Sequence, residues 1–184
     1  MKNALILHGA GNNHEGNWFP WLKIELENKG YEVSVPDLPN SDTPILKDWL
    51  TAVKDFDCNP ESLLVGHSSG ATLILRILEN LPADKKVFKS ILVAGFVEKD
   101  PEKKYFPWNK DLLETPFNWE KIKDSCLNFD FICSDNDPYD CGEEQGKIMQ
   151  EKLGGNLIVE KEQGHFNLEL SDYYHSFPLL LTLV

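Results

Sequence analysis

The chain has 184 residues, a formal net charge of −12 and no cluster of basic residues. This length suits one domain with a full hydrophobic core, so we expect residues 1–184 to form a single domain. The acidic excess argues against nucleic acid and anionic membrane surfaces as partners, because such a chain cannot neutralise their phosphates.

Six short apolar runs alternate with amphipathic stretches along the chain. Most of these runs are continuous Val, Ile and Leu, which is typical of strands buried on both faces of a parallel sheet. The predicted strands are residues 4–7, 32–35, 63–65, 90–94, 130–133 and 156–159. The predicted helices are residues 18–29, 45–54, 71–80, 119–125, 143–153 and 168–183. This order predicts an α/β fold in which a six-stranded, mostly parallel sheet carries helices on both faces.

The longest irregular segment, residues 96–116, lies between the fourth and fifth strands. It is rich in charge, proline and aromatic residues, among them Tyr105 and Trp108. One interpretation is a small cap over a site at the strand ends, where open α/β sheets bind ligands. The other is a surface excursion that is packed by its own aromatic residues.

A Gly-x-Ser-x-Gly motif, residues 66–70, comes directly after the third strand and directly before the third helix. In this setting the turn is so sharp that glycines are needed at Gly66 and Gly70. The serine at the centre of the motif, Ser68, is expected on a strained backbone with its hydroxyl exposed. The motif therefore predicts that Ser68 is a nucleophile.

The loop after the fifth strand offers three aspartates as the acid of a catalytic triad. We favour Asp137, because Pro138 fixes the backbone directly after it. Asp135 is expected to face solvent or to cap the loop, and Asp140 is a weaker candidate. A serine nucleophile needs such a carboxylate to orient the histidine that takes its proton.

Among five histidines, His165 is the predicted base. It follows the last strand and a glycine that lets the chain turn, and it completes the chain order Ser, acid, His that α/β-hydrolases use. His8 ends the first strand, His14 lies in the loop after it, and His175 is expected at the surface. His67 is expected to point away from the nucleophile beside it.

The attacked carbonyl also needs hydrogen-bond donors for its developing negative charge. The backbone amide of Ser69, directly after the nucleophile, is the expected first donor. The second is expected from the glycine-rich loop after the first strand, where we favour the Ala10 amide over that of Gly11. The residues expected to contact substrate are Gly9, Gly11, Trp108 and Phe166.

The sequence predicts neither a cofactor nor a metal. The loop after the first strand lacks the Gly-x-Gly-x-x-Gly spacing of dinucleotide-binding proteins, and His8 and His14 lack recognisable ligand spacing. Four cysteines without Cys-x-x-Cys spacing, and an N-terminus too short and too polar for a secretory signal, predict reduced thiols in a cytoplasmic protein.

These motifs resemble the small single-domain serine hydrolases typified by retinoblastoma-binding protein nine and its bacterial relatives. The resemblance covers nearly the whole chain and is carried by residues 18–26, 39–40, 48–50, 66–71, 119–123, 134–138 and 164–166. It implies a minimal α/β-hydrolase fold without a large lid domain, and activity on small esters or amides. Because the last two segments match the family's acid and base segments, it also supports Asp137 and His165.

One departure concerns a partner. The founding member of the family is named for a Leu-x-Cys-x-Glu motif that binds the retinoblastoma protein. Residues 56–60 here read Phe-Asp-Cys-Asn-Pro, so that both the leucine and the glutamate are missing. Binding of the retinoblastoma protein is therefore not expected.

The leading hypothesis is a serine hydrolase that cleaves small carboxylic esters, thioesters or amides without a cofactor. Two alternatives differ in class. The first is a non-catalytic protein-interaction module on a hydrolase scaffold, since fold alone does not determine function. The second is a protein that binds a small molecule through residues 105–108.

Overall fold

Six parallel strands form the centre of the computed structural model, which describes residues 1–184. Their order across the sheet is β2-β1-β3-β4-β5-β6, and every neighbouring pair is parallel. The predicted six-stranded sheet is confirmed. The strands are Asn3–Leu7 (β1), Glu32–Ser34 (β2), Leu63–His67 (β3), Val87–Val93 (β4), Cys126–Ser134 (β5) and Asn156–Glu160 (β6).

Helices cover both faces of the sheet, as predicted. They are Phe19–Asn28 (α1), Leu46–Ala52 (α2), Ser69–Asn80 (α3), Phe106–Asn109 (α4), Trp119–Ser125 (α5) and Glu143–Leu153 (α6). Along β1, Leu5 and Leu7 face a core that α2, α3, α5 and α6 share. Ala4 and Ile6 face a second core under α1 and the C-terminal segment. No helix is both long enough and apolar enough to cross a membrane.

The predicted C-terminal helix over residues 168–183 is wrong. Two short 3-10 helices, Asp172–His175 and Pro178–Thr182, take its place. Pro178 lacks the N–H that a continuous helix would need, and it keeps Phe177 before it out of helical geometry. The segment still packs onto the body of the protein, because Tyr174, Phe177 and Leu180 are buried.

Residues 96–116, the cap segment, show features of both structures that the sequence left open, a cap over the site and a self-packed surface segment. The segment is packed by its own aromatic residues, because the Tyr105 ring stacks on Phe96 with a centroid distance of 4.3 Å. It also reaches the cavity at the strand ends, which Tyr105, Trp108 and Asn109 help to line. The cap segment is thus a small, internally packed wall of that cavity.

Arg76 on α3 fastens the C-terminal end of the cap segment to the body of the protein. Its guanidinium, which is 1% exposed, donates hydrogen bonds to the carbonyls of Leu112 and Thr115. It also lies 3.7 Å from the centroid of the Phe117 ring and pairs with Glu79. A buried arginine with these partners fixes where the cap segment ends.

Candidate active site

A cavity of about 560 Å³ opens where the carboxyl ends of the parallel strands meet. The loops after β1, β3, β5 and β6 and the cap segment all contribute to its wall. This is the edge of an open α/β sheet at which ligands bind. Ser68 and His165, the predicted nucleophile and base, both line the cavity.

The turn between β3 and α3 has the strained geometry that its sequence predicts. Ser68 adopts a φ of 55° and a ψ of −121°, a conformation that residues with a side chain rarely adopt. A side chain at Gly70 would lie 2.4 Å from the Leu7 carbonyl oxygen, and one at Gly66 would lie 2.6 Å from the Gly70 backbone. The two glycines are therefore required for the close approach that lifts Ser68 to the cavity.

Ser68 also lies at the N-terminus of the twelve-residue helix α3. As the first helical residue, Ser69 has an N–H without an acceptor inside the helix. The positive end of the helix dipole favours negative charge at this point. Gly9 packs directly against the serine, because a side chain there would lie 2.8 Å from Ser68 Cβ. The N-terminus of α3 thus offers the Ser69 N–H as a hydrogen-bond donor beside the Ser68 hydroxyl.

The structure distinguishes between the two amides proposed as the second donor. The Gly11 N–H donates to the Ser41 carbonyl at 3.0 Å and is already used. The Ala10 N–H also has a partner, Ser69 Oγ, but that bond is longer, at 3.2 Å, and it places the N–H against the turn that carries Ser68. Ala10 is therefore the better placed of the two.

Only one of the three candidate aspartates reaches His165. Asp137 Oδ2 lies 2.7 Å from His165 Nδ1, and the two side chains are 0% and 7% exposed. The other carboxylate oxygen of Asp137 accepts the Tyr139 N–H. Asp135 is exposed and accepts a backbone N–H from the loop after β6, while Asp140 accepts the Lys104 N–H. The geometry thus favours Asp137 as the acid, as the sequence does.

Hydrogen bonds from backbone N–H groups to side chains connect the loop that carries His165 to the loop that carries Asp137. Three successive N–H groups, of residues 162–164, donate to Asp135 Oδ1, Ser134 Oγ and Asn136 Oδ1 at 2.7, 3.0 and 2.8 Å. These bonds hold the loop after β6 against the loop after β5. Sequence reasoning missed this function of residues 134–136, because the pairing of two loops leaves no local motif.

His67 is directed at the loop that carries His165, a contact that its position in the sequence did not predict. Its Nε2–H donates to the His165 carbonyl at 2.7 Å, and the two ring centroids lie 4.8 Å apart. The turn after β3 directs the Ser68 side chain to the cavity and the His67 side chain to the loop after β6, which carries His165. Burial and the neighbouring His165 lower the pKa of His67 to about 3, so its ring is neutral.

Of the predicted contact residues, Gly9, Gly11 and Trp108 line the cavity, and Phe166 does not. The Phe166 side chain is fully buried and stacks on Phe177 with a centroid distance of 5.3 Å. Its backbone φ of 55° turns the chain directly after His165 and sends the side chain into the core. The expected substrate contact at Phe166 is therefore corrected to a structural position.

The rim of the cavity includes residues that the sequence did not single out. Asp42 and Glu169 contribute carboxylates, and Asn17 and Asn167 contribute amides. No lysine or arginine lines the cavity. The field at the mouth is accordingly unfavourable to anionic groups.

His8 and His14 do not come together as metal ligands. Both ring nitrogens of His8 are engaged, with the Gly9 carbonyl and the Leu38 N–H, and His14 pairs with Asp37 at the surface. Another set of potential ligand atoms, from Asp137, Cys141 and His165, lies within 4.8 Å. Burial raises the pKa of the Cys141 thiol well above its ordinary value, so this set offers no ready thiolate.

Comparison with known proteins agrees with the architecture. Residues 4–183 match the model of a family described as serine hydrolase. YdeN of Bacillus subtilis (strain 168) is 29% identical over 170 residues, which cover 90% of this chain and 86% of that protein. Serine hydrolase RBBP9 of Rattus norvegicus is 26% identical over 183 residues, which cover 95% of this chain and 92% of that protein.

The crystal structure of the ydeN gene product from B. subtilis superposes with a TM-score of 0.90 at 26% identity. The match covers 100% of this chain and 96% of that chain. The resemblance inferred from the motifs is therefore confirmed, as is the α/β-hydrolase fold without a large additional domain.

Proposed function

Because this chain belongs to the serine hydrolase family, we propose that it cleaves small carboxylic esters through an acyl-enzyme on Ser68. The observation that carries this proposal is the 2.7 Å hydrogen bond between Asp137 and His165 at the wall of the cavity that Ser68 enters. A buried carboxylate in this position fixes the tautomer of the imidazole, with the proton on Nδ1. The other nitrogen, Nε2, is then free to act as a base.

In the first half of the reaction, Ser68 Oγ forms a bond to the acyl carbon while His165 Nε2 takes the hydroxyl proton. The charge that develops on His165 is stabilised by Asp137, which stays ionised. The negative charge on the carbonyl oxygen is stabilised by the amides of Ser69 and Ala10 and by the N-terminus of α3. When the bond to the leaving group breaks, His165 returns its proton to the leaving oxygen.

In the second half, His165 takes a proton from water, and the resulting hydroxide oxygen attacks the acyl carbon. The bond between that carbon and Ser68 Oγ breaks, the serine recovers its proton, and the acid leaves. The same residues and the same two amides serve both halves. No cofactor enters this scheme.

The cavity supports a restricted range of substrates. A volume of about 560 Å³ has room for an ester, thioester or amide up to the size of a drug molecule, so the restriction comes from the charge of the lining. The carboxylates of Asp42 and Glu169, with no lysine or arginine in the lining, disfavour substrates that carry phosphates or carboxylates. The four free, buried cysteines fit the predicted cytoplasmic location.

A substrate panel tests the proposal. Purified protein is assayed with p-nitrophenyl acetate, butyrate and octanoate, an acetyl thioester and a p-nitroanilide, with Ser68→Ala as the matched control. We expect turnover of the short esters by the wild-type protein and none by the variant. An inert, folded wild-type protein would favour the interaction module instead.

A further inference from the structure

A chain of three hydrogen bonds joins the cap segment to the Ala10 amide, the second donor for the oxyanion in the proposed function. The Ala10 N–H donates to Ser69 Oγ at 3.2 Å, and the Ser69 hydroxyl donates to Asn109 Oδ1 at 2.6 Å. Asn109 Nδ2 in turn donates to the Tyr105 carbonyl at 2.8 Å. Ser69 and Asn109 are 0% and 3% exposed, so the bond between their side chains is shielded from water, whereas the Ala10 N–H borders the cavity.

The direction of each bond follows from the chemistry of the groups. A backbone N–H can only donate, so Ser69 Oγ must accept from Ala10. The Asn109 amide donates through Nδ2 to the Tyr105 carbonyl, which directs Oδ1 to the serine. The single proton of the Ser69 hydroxyl is thereby committed to Asn109, which leaves a lone pair for the Ala10 N–H.

We propose that Asn109 and the Ser69 hydroxyl are positioning residues for the oxyanion, acting together through the Ala10 amide. This inference rests on the proposed function, in which that amide is the second donor. The Ser69 hydroxyl holds the loop after β1 against the start of α3, so that the Ala10 N–H and the Ser69 N–H stay at the same point of the cavity. The long 3.2 Å bond leaves the Ala10 N–H able to share its proton with an oxyanion.

The arrangement gives the cap segment a role in the reaction besides that of a wall. Asn109 lies at the end of α4, in the part of the cap segment beside Trp108 at the cavity. The cap segment is thereby connected to the Ala10 amide by two successive side chains. A displacement of the cap segment that carries Asn109 away from Ser69 would release the Ser69 hydroxyl and with it the Ala10 amide.

Three variants test the inference: Ser69→Ala, Asn109→Leu and the double variant, with the exposed neighbour substitution Lys110→Ala as the control. Each is assayed for kcat and KM with p-nitrophenyl acetate. Each is also assayed for binding of phenylboronic acid, which forms an anionic tetrahedral adduct with an activated serine. Misplacing one oxyanion donor should lower kcat about 10-fold, less than the full loss of a donor, and should leave KM nearly unchanged.

We expect the affinity for phenylboronic acid to fall by a similar factor in both single variants. Because the two side chains act through one bond, the double variant should be no worse than either single variant. Lys110→Ala should behave as wild type. A merely structural role would lower thermal stability without separating kcat from KM. Ser69→Ala is a small truncation. If Asn109→Leu does not fold, the inference is tested by Ser69→Ala alone, through its kcat, its KM and its affinity for phenylboronic acid.

Unchanged kcat and boronate affinity in the single variants, or multiplied losses in the double variant, would overturn the inference while leaving the proposed function intact. A wild-type protein that neither hydrolyses the ester nor binds phenylboronic acid would instead overturn the proposed function.

Discussion

His67 and His165 are 98 positions apart in the chain, yet a 2.7 Å hydrogen bond joins the Nε2 of the first to the carbonyl of the second. The residue directly before the candidate nucleophile thus holds the backbone of the candidate base. Its ring is neutral in the native protein, because burial at this depth strongly disfavours the charged form. The turn after β3 therefore positions both the serine and the histidine loop.

The lowered pKa of His67 predicts a pH dependence of stability. The native pKa, about 3, lies below the ordinary value of 6.5, so the unfolded chain binds this proton more readily. The contribution of the neutral His67 ring to the free energy of unfolding is complete above pH ~6.5. It is lost as the pH falls towards the native pKa, by up to about 1.4 kcal/mol per pH unit. His67→Gln keeps a donor for the His165 carbonyl and removes the titration.

Urea unfolding between pH 4 and 7 measures this effect. The free energy of unfolding should fall less steeply with decreasing pH in His67→Gln than in wild type. The variant should keep its reaction with a serine-directed probe, because the donor is retained. Identical slopes in the two proteins would show that His67 is not held neutral in the native state.

Paired substitutions distinguish between the neighbouring aspartates Asp137 and Asp135. Asp137→Asn removes the carboxylate that fixes the His165 tautomer, and kcat for ester hydrolysis should fall about 10³–10⁴-fold. Asp135→Asn keeps an oxygen that accepts the Glu162 N–H, so its kcat should stay near the wild-type value. Steady-state kinetics on both variants would refute the assignment if Asp135→Asn were the inactive one.

The close approach at Gly70 predicts a large loss of stability on substitution. In Gly70→Ala the new methyl group would lie 2.4 Å from the Leu7 carbonyl oxygen, within the strand β1, which cannot move away. We expect a loss of more than about 3 kcal/mol, or no folding. Gly30→Ala is the control, since Gly30 has a φ of 83° with open space around it, and it should cost roughly 1–2 kcal/mol. Equal losses by denaturant unfolding would contradict the packing described.

Arg76→Met should loosen the cap segment as well as destabilise the fold. The methionine keeps much of the apolar stem but leaves the carbonyls of Leu112 and Thr115 and the Glu79 carboxylate without their donor. The expected loss is about 3–5 kcal/mol, with faster amide hydrogen exchange over residues 111–117. Lys23→Met, which removes an exposed ion pair with Glu27, should cost less than about 1 kcal/mol. Unchanged exchange over residues 111–117 would show that the segment is held elsewhere.

Much of the sheet and the order Ser, Asp, His could be predicted because each leaves a local signal. Buried parallel strands appear as continuous apolar runs, and a sharp strand-to-helix turn demands glycines at fixed spacing. The first half of β5, residues 126–129, was missed because Leu127 and Asn128 are exposed and its pattern is not apolar. The C-terminal segment was predicted as a helix because its apolar residues are frequent, although Pro178 argues against a continuous one.

The remaining features of the site depend on contacts between distant loops. Three sets of hydrogen bonds each join the ends of different strands. The first runs from His67 to His165, and the second joins residues 134–136 to residues 162–164. The third runs from Ala10 through Ser69 to Asn109. No spacing within a single segment encodes such a pairing. Phe166 illustrates the same limit, because only the packing around its positive φ decides that the ring enters the core.

A fluorophosphonate probe, read out by intact mass, shows whether Ser68 is an activated nucleophile. Wild-type protein and Ser68→Ala are incubated with the probe side by side, and circular dichroism confirms that both are folded. We predict one covalent adduct on the wild type and none on the variant. A folded wild-type protein that stays unmodified, or a Ser68→Ala variant that is labelled equally, would show that Ser68 is not an activated nucleophile.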